Sequence, residues 1–169
     1  RARESGAIVL THAVNLGKGA SLKTGCDYAL MKGAEAFVVL DADGQHEPKE
    51  IPKFLHALQE HDVVFGMRQV PESMPFVLKL GNTFISKSLR VMYGINVTDS
   101  QCGYRAFTAQ AYKSLRWEAT DYFVESEMVI KAGKGKLKHA EIPIQTIYAD
   151  KYKGTTVFDG VMIVGKMMV

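Results

Sequence analysis

Short apolar runs and helical patterns alternate over the first 68 residues of the chain. The runs at 7–11 and 36–40 predict two strands, and helical spacing follows them over 20–31 and 48–60. A third apolar run at 62–66 predicts another strand. Strands separated by helices of this length favour parallel pairing through right-handed crossovers, which is the α/β class. We therefore expect ligands to bind at the carboxyl ends of the strands.

The second half of the chain predicts less regular elements: a helix over 76–93, a strand over 104–108, a helix over 124–132, and one or two strands over 137–148 around Pro143. Helical spacing assigns five core contacts to the first of these, which are Leu78, Phe84, Ile85, Leu89 and Met92. A chain of 169 residues with 47% hydrophobic content can bury one substantial core. We expect a single domain.

Charge and cysteine content exclude several classes of protein. The 21 basic and 18 acidic residues give a net charge of +3, too mild to indicate a nucleic-acid partner. Cys26 and Cys102 lie outside any zinc-ligand spacing, which favours reduced thiols inside the cell. No signal region and no apolar run of about 20 residues is present. We predict a cytoplasmic protein, with contact to the cytoplasmic face of the membrane as a hypothesis.

The strongest local signal for chemistry is the pair Asp41 and Asp43, directly after the apolar run AFVVL. Alternate residues of an extended segment can present two carboxylates to one cation. Oxygen ligands suit Mg²⁺ or Mn²⁺, which commonly share them with substrate phosphates. A second interpretation is that both aspartates only form a turn, as such residues often do. The spacing alone does not decide between the two.

The order of several segments is more specific than this pair. The runs VVLDADGQHEPKEIPKF, DVVFGMR, KLGN and TDSQCGYRAF, within about 15–156, resemble glycosyltransferase family 2. The likeness is to its polyprenyl-phosphate branch, which includes dolichyl-phosphate mannose synthases. This resemblance implies a GT-A (Rossmann-like) fold, a mixed, mainly parallel sheet flanked by helices. It also implies inverting transfer of a sugar from a nucleoside diphosphate (a GDP- or UDP-sugar) to a polyprenyl phosphate.

The resemblance also implies roles for individual residues. Asp41, Asp43 and Gln45 match the metal shell, while Asp41 and Asp43 also serve the donor diphosphate through the Mg²⁺ or Mn²⁺ ion. Arg68 matches an arginine that approaches the donor, and Asp99 matches a carboxylate near the reacting centre. Lys79 and Arg105 match basic positions that face the phosphate acceptor. Solvated surface positions for these basic residues, and a turn role for Asp99, are the competing interpretations.

Three further features remain open at this point. The stretch NLGKGAS lacks the full phosphate-loop spacing, so Gly17 and Gly19 can serve the turn while Lys18 adds charge beside the donor. Glu125 and Glu127 would diverge by about 200° on a helix, so we treat both as structural. His12 and His46 are better explained as loop residues than as metal ligands.

The chain also departs from the family pattern. It begins at what would be the third strand, so we expect a GT-A domain over 1–156 that lacks its first two strands. Residues 157–169 predict an amphipathic helix that could face a membrane. These departures keep three alternatives open: the same fold with a saccharide or protein acceptor, a non-catalytic binding module, and a nucleotidyltransferase.

Overall fold

The computed structural model describes residues 2–69 and 76–145, and for 76–82 it describes the backbone alone. The helices are α1 (Lys18–Met31), α2 (Ile51–Ala57), α3 (Phe76–Tyr93), α4 (Ala109–Leu115) and α5 (Val124–Lys134). The strands are β1 (Ala36–Val39), β2 (Val63–Arg68), β3 (Arg105–Thr108) and β4 (His139–Ile144), and a 3₁₀ turn (Pro48–Glu50) precedes α2.

The four strands form one mixed sheet in the order β1-β3-β2-β4. β2 and β4 are parallel, and β3 runs antiparallel to both β1 and β2. Strands β1, β2 and β4 therefore share one direction, as the predicted mainly parallel sheet requires. However, β3 separates β1 from β2, so these two parallel strands are not hydrogen-bonded neighbours. The carboxyl ends of β1 and β2 consequently meet the amino end of β3 at one edge of the sheet.

Helices pack on both faces of this sheet, as expected for the α/β class. One face carries the larger core, in which Phe37 and Phe107 stack and Tyr112 and Trp117 pack against them. The other face is covered by α2, whose Phe54 stacks on Tyr104 at 4.4 Å between ring centres. Alternate residues of β2 supply the two cores, because successive side chains of a strand point to opposite faces.

Two local predictions were wrong. Residues 7–11 form no strand, and Ile8 is 71% exposed. Apolar, β-branched sequence gives a strand only where a neighbour accepts its hydrogen bonds, and this segment pairs with no strand within 2–69 or 76–145.

In α3, Ile85 and Leu89 are buried, but Phe84 and Met92 are 58% and 48% exposed. The buried stripe of α3 is therefore narrower than the spacing suggested.

Other boundaries moved, and some predictions cannot be compared. Helix α4 was not predicted, and the helix expected over 48–60 is a 3₁₀ turn followed by α2, which ends at Ala57. The predicted strand residues 146–148, the core contact of Leu78 and the amphipathic helix over 157–169 all lie outside the described residues or side chains. Across the two described ranges, none of the helices has both the length and the apolar character to cross a bilayer.

Candidate functional site

Charged side chains gather at the edge where β1 and β2 end and β3 begins. Asp41 follows β1, Arg68 is the last residue of β2, and Asp99 and Gly103 lie in the loop before β3. Lys18 begins α1, and Glu125 lies in the first turn of α5. The strand directions thus bring together residues that are far apart in sequence, at the place where α/β sheets bind ligands.

Asp41 contacts three different segments. Its Oδ1 lies 2.6 Å from the Lys18 Nζ, and its backbone N–H donates to the Nδ1 of His46 at 3.0 Å. A side chain at Gly103 would collide with the Asp41 carboxylate, with a Cβ only 3.0 Å from Cγ. Gly103 is therefore needed so that β3 can begin beside this carboxylate.

His46 fixes the loop that carries the aspartates and is not placed as a ligand. Its ring is 7% exposed and packs on Tyr104, with ring centres 5.2 Å apart. Burial lowers the pKa of the imidazole, which favours the neutral form whose Nδ1 accepts from Asp41. His12 lies elsewhere, with its Nε2 2.9 Å from the Thr24 hydroxyl.

Asp43 and Gln45 occupy the turn after Asp41. The Asp43 Oδ1 accepts the Gln45 backbone N–H at 3.0 Å, and Gly44 between them has a φ of +84°. Asp43 therefore does form the turn that the second interpretation of the sequence expected. Its exposed carboxylate and the Gln45 amide are, with Asp41, the oxygen donors that Mg²⁺ and Mn²⁺ prefer.

These three oxygen donors fit a hard cation whose coordination shell is completed by a bound ligand. No group of three His, Cys, Asp or Glu side chains in the described ranges is arranged to hold a metal ion on its own. Two carboxylates and one amide leave several coordination positions, which is the usual arrangement where Mg²⁺ shares its ligands with substrate phosphates. A cation, the Lys18 ammonium, already lies on Asp41.

Lys18 joins Asp41 to a second carboxylate. Its Nζ is 2.6 Å from the Glu125 Oε1, and its side chain is 22% exposed. Burial disfavours the charged form of Lys18, but Glu125 and Asp41 outweigh that penalty and raise its pKa. Glu125 itself is 5% exposed, and its Oε2 has no hydrogen-bond partner among the described residues.

Two glycines fix the position of Lys18. A Cβ on either Gly17 or Gly19 would collide with the backbone carbonyls of Ala119 and Thr120, and Gly17 has a φ of +90°. The Gly19 N–H donates to the Thr120 carbonyl at 2.8 Å, and the Trp117 indole donates to the Gly19 carbonyl at 2.7 Å. The glycines thus let the start of α1 pack directly on the segment that leads into α5.

Arg68 and Asp99 form a bidentate ion pair. The Arg68 Nε and Nη2 donate to the two Asp99 oxygens at 2.7 and 2.9 Å, and the Arg68 backbone N–H also donates to Oδ2. Asp99 is 3% exposed. Its loop is held by Glu141 of β4, which accepts from the Thr98 hydroxyl and backbone N–H. Asp99 therefore orients the Arg68 guanidinium.

The position of Arg105 corrects a prediction. Arg105 is 1% exposed, and its guanidinium donates to the backbone carbonyls of Ser100, Cys102 and Glu125 at 2.6–2.9 Å. Its Cζ also lies 5.2 Å from the centre of the Phe65 ring. A guanidinium committed to three carbonyls in the core does not face an acceptor, so Arg105 holds the 100–105 loop. Lys79 lies on α3, and its side chain is outside the described part.

The structure separates the roles of Glu125 and Glu127, which the sequence analysis treated alike as structural. The 200° divergence of Glu125 and Glu127 is real, but the two have different partners. Glu127 accepts from the N–H groups of Glu118 and Ala119, whereas Glu125 reaches Lys18. Glu125 lies in the first turn of α5, and only the fold brings it next to Lys18.

The charges, and not a cavity, define this site. A cavity of about 560 Å³ lies between residues 8–16 and α1. Its lining includes none of the residues predicted for the site. The cavity is therefore a separate feature, lined by residues 8 and 10–16 and by three residues of α1.

Comparisons with known proteins find related sequences. The sequence model of glycosyl transferase family 2 matches residues 1–116. A UDP-N-acetylglucosamine–dolichyl-phosphate N-acetylglucosaminyltransferase of Methanococcus voltae is 36% identical over 95% of the chain and 68% of its own length. An undecaprenyl-phosphate mannosyltransferase of Micrococcus luteus is 30% identical over 85% of the chain and 63% of its own length.

The fold is also found in solved structures. Glucosyl-3-phosphoglycerate synthase from Mycobacterium tuberculosis, in complex with phosphoglyceric acid, superposes with a TM-score of 0.76 at 19% identity. The match covers 99% of the chain and 62% of the synthase. The same synthase in complex with Mn²⁺, UDP-glucose and phosphoglyceric acid superposes with a TM-score of 0.72 at 17% identity. The chain thus spans about two thirds of the length of these proteins.

Proposed function

The chain belongs to glycosyl transferase family 2, and on that basis we propose that it transfers a sugar from a nucleoside diphosphate to a polyprenyl-type lipid phosphate, with inversion at the sugar carbon. The observation that carries the proposal is that two ion pairs, Lys18 with Asp41 and Arg68 with Asp99, lie where β1 and β2 end. The names of the M. voltae and M. luteus relatives support the acceptor class.

The donor diphosphate would bind through a divalent cation and two basic residues. Asp41, Asp43 and Gln45 would hold Mg²⁺ or Mn²⁺, and the Mn²⁺ and UDP-glucose bound to the synthase with the same fold support this choice. The cation supplies Lewis-acid stabilisation of the leaving diphosphate. Lys18 adds positive charge at the amino end of α1, where anions are favoured, and Arg68 adds positive charge at the end of β2.

Charge neutralisation is the main chemical task in this reaction. The leaving diphosphate gains negative charge as the bond to the sugar breaks, and donors placed in advance stabilise that charge. A phosphate acceptor is already an anion near neutral pH, so it needs no base to remove a proton. We therefore assign Asp99 a positioning role, which its two bonds to Arg68 support.

Asp99→Asn is expected to reduce kcat/KM about 10- to 100-fold, because asparagine accepts only one of the two charge-assisted bonds from Arg68. The KM for the donor should rise, and the acid limb of the pH–rate profile should stay in place. Asp62→Asn is the matched control, since Asp62 accepts a backbone N–H at the opposite end of β2. Loss of the acid limb in Asp99→Asn alone would instead identify Asp99 as a general base for a hydroxyl acceptor.

The acceptor lipid would approach over α3. Lys79 lies on this helix, and we retain it as a candidate contact for the lipid phosphate. Residues 157–169 are a candidate surface-binding helix, which would place the acceptor phosphate near the membrane. Liposome co-sedimentation with and without residues 157–169 measures this contact, and equal pelleting of the two chains would exclude it.

An acceptor screen tests the proposed function. The purified protein is incubated with radiolabelled UDP-GlcNAc, UDP-glucose or GDP-mannose, and with a short polyprenyl phosphate, 3-phosphoglycerate or a free sugar, in Mn²⁺ or in chelator. Transfer is expected to the polyprenyl phosphate alone and only with Mn²⁺, and the one-bond C1–H1 coupling constant of the product reports inversion. Transfer to another acceptor would reject the acceptor class. Absence of both transfer and Mn²⁺-dependent nucleotide binding would support a non-catalytic module.

A further inference from the structure

Lys18 lies between two carboxylates that come from different parts of the chain. Its Nζ is 2.6 Å from Asp41, which follows β1, and 2.6 Å from Glu125, which begins α5. Only one of these carboxylates belongs to the metal shell proposed above. The ammonium therefore lies on an oxygen of Asp41 that a cation would also use.

Glu125 has an incomplete set of partners. Its Oε1 is on Lys18, while its buried Oε2 has no hydrogen-bond partner within the described residues. A buried carboxylate oxygen without a partner is costly, so such an atom marks a place where another donor can bind. The nearest donor already on this carboxylate is Lys18 itself.

The backbone around Lys18 is fixed, and its ammonium has partners besides Asp41. Gly17 and Gly19 pack on the Ala119 and Thr120 carbonyls, so the start of α1 cannot shift without breaking those contacts. The Nζ lies 5.9 Å from the centre of the Tyr122 ring, which offers a face that attracts a cation. If Asp41 is taken up by a cation, the ammonium therefore keeps Glu125 and the Tyr122 face as partners.

From this geometry, and resting on the proposed function, we propose that Lys18 is a removable counter-ion of the metal site. Without a divalent cation, the ammonium neutralises Asp41. When the cation binds, repulsion between the two positive charges moves the ammonium fully onto Glu125, whose second oxygen then gains a partner. Asp41, Asp43, Glu125 and Lys18 together carry a charge of −2, so a divalent cation brings the cluster to zero. This neutralisation removes the repulsion that the carboxylates would exert on the donor diphosphate.

Mn²⁺ affinity without nucleotide tests this role independently of activity. Electron paramagnetic resonance of free Mn²⁺ measures the affinity for the wild type and the variants. Lys18→Met should bind Mn²⁺ about tenfold more tightly, because Asp41 no longer has an internal competitor. Lys131→Met is the matched control: Lys131 pairs with Glu127 at 3.2 Å on the same helix as Glu125, and its removal should leave the affinity unchanged.

Two further variants separate competition between Lys18 and Mn²⁺ for Asp41 from the general effect of a positive charge near the metal. Lys18→Arg keeps the charge but can pair with both carboxylates through a planar fork, so it should bind Mn²⁺ several-fold more weakly than the wild type. Glu125→Gln should weaken Mn²⁺ binding in the wild type and have no effect in the Lys18→Met background, because Glu125 acts by receiving the lysine. Circular dichroism of each variant confirms folding, and Lys18→Arg keeps the test open if the methionine variant unfolds.

The outcomes distinguish this inference from the proposed function. Equal Mn²⁺ affinity in the wild type, Lys18→Met and Lys18→Arg would overturn the counter-ion role and leave the metal site standing. An equal loss from Glu125→Gln in both backgrounds would show that Glu125 acts through space, which also overturns it. No Mn²⁺ binding by any of the proteins would reject the metal site itself, and the counter-ion role with it.

Discussion

Asp41→Asn is expected to reduce metal-dependent sugar transfer at least about 100-fold, roughly 3 kcal/mol of transition-state stabilisation, because it removes a negative charge from the metal shell. Mn²⁺-dependent binding of UDP or GDP should fall in parallel when measured by calorimetry. The variant keeps an oxygen donor and the size of the side chain, so the Gly103 contact survives. The expected loss is therefore one of charge and not of packing.

Asp27→Asn is a suitable control for this variant. Asp27 is an aspartate of α1 that pairs with Arg116 at 2.8 Å, outside the cluster around Asp41. It should lower stability slightly and leave the Mn²⁺ dependence of nucleotide binding unchanged. Unchanged metal dependence in Asp41→Asn as well would show that the two aspartates only form the turn, and the proposed chemistry would lose its metal site.

Arg105→Met is expected to lower the free energy of unfolding by about 3–5 kcal/mol, because it removes three buried hydrogen bonds from a charged guanidinium to backbone carbonyls. The methionine side chain fills much of the space left by the arginine but donates no hydrogen bond. Urea denaturation followed by circular dichroism measures the loss. Such a loss would amount to a large part of the free energy of unfolding of an ordinary domain.

Arg90→Met provides the comparison for Arg105. Arg90 is an exposed arginine of α3, and its replacement should change the free energy of unfolding by less than about 0.5 kcal/mol. If Arg105→Met kept its stability and instead raised the KM for the phosphate acceptor, the acceptor role implied by the resemblance would be restored. The two measurements thus separate a structural arginine from one that binds substrate.

The sequence predicted most of the elements, because their patterns are local. The helices α1, α3 and α5 and the strands β1, β2 and β3 agree with the predicted elements within a few residues. The failures are at positions whose state depends on a distant partner. Residues 7–11 have the composition of a strand but no neighbour in the described ranges, and Phe84 lies just beside a buried stripe that only the packing of α3 defines.

The candidate site was predictable only in part, for the same reason. Asp41, Arg68 and Asp99 were proposed from motifs at the ends of strands, whereas the partner of Glu125 could not be predicted, since its contact with Lys18 spans more than 100 residues of sequence. Arg105 shows the opposite error. A motif identifies an arginine, but only the fold determines whether its guanidinium points to solvent or to three carbonyls of the core.

The antiparallel strand β3 also has a consequence for the order of folding. The hydrogen-bonded neighbour of β1 is β3, whose residues 105–108 follow β1 by more than 60 positions. On a ribosome, the emerging β1, α2 and β2 therefore cannot form a native sheet until β3 has been synthesised. Long-range pairing of this kind slows folding and leaves strand edges exposed in the meantime. We expect the four-stranded sheet to be complete only after residue 144, the end of β4, has left the exit tunnel.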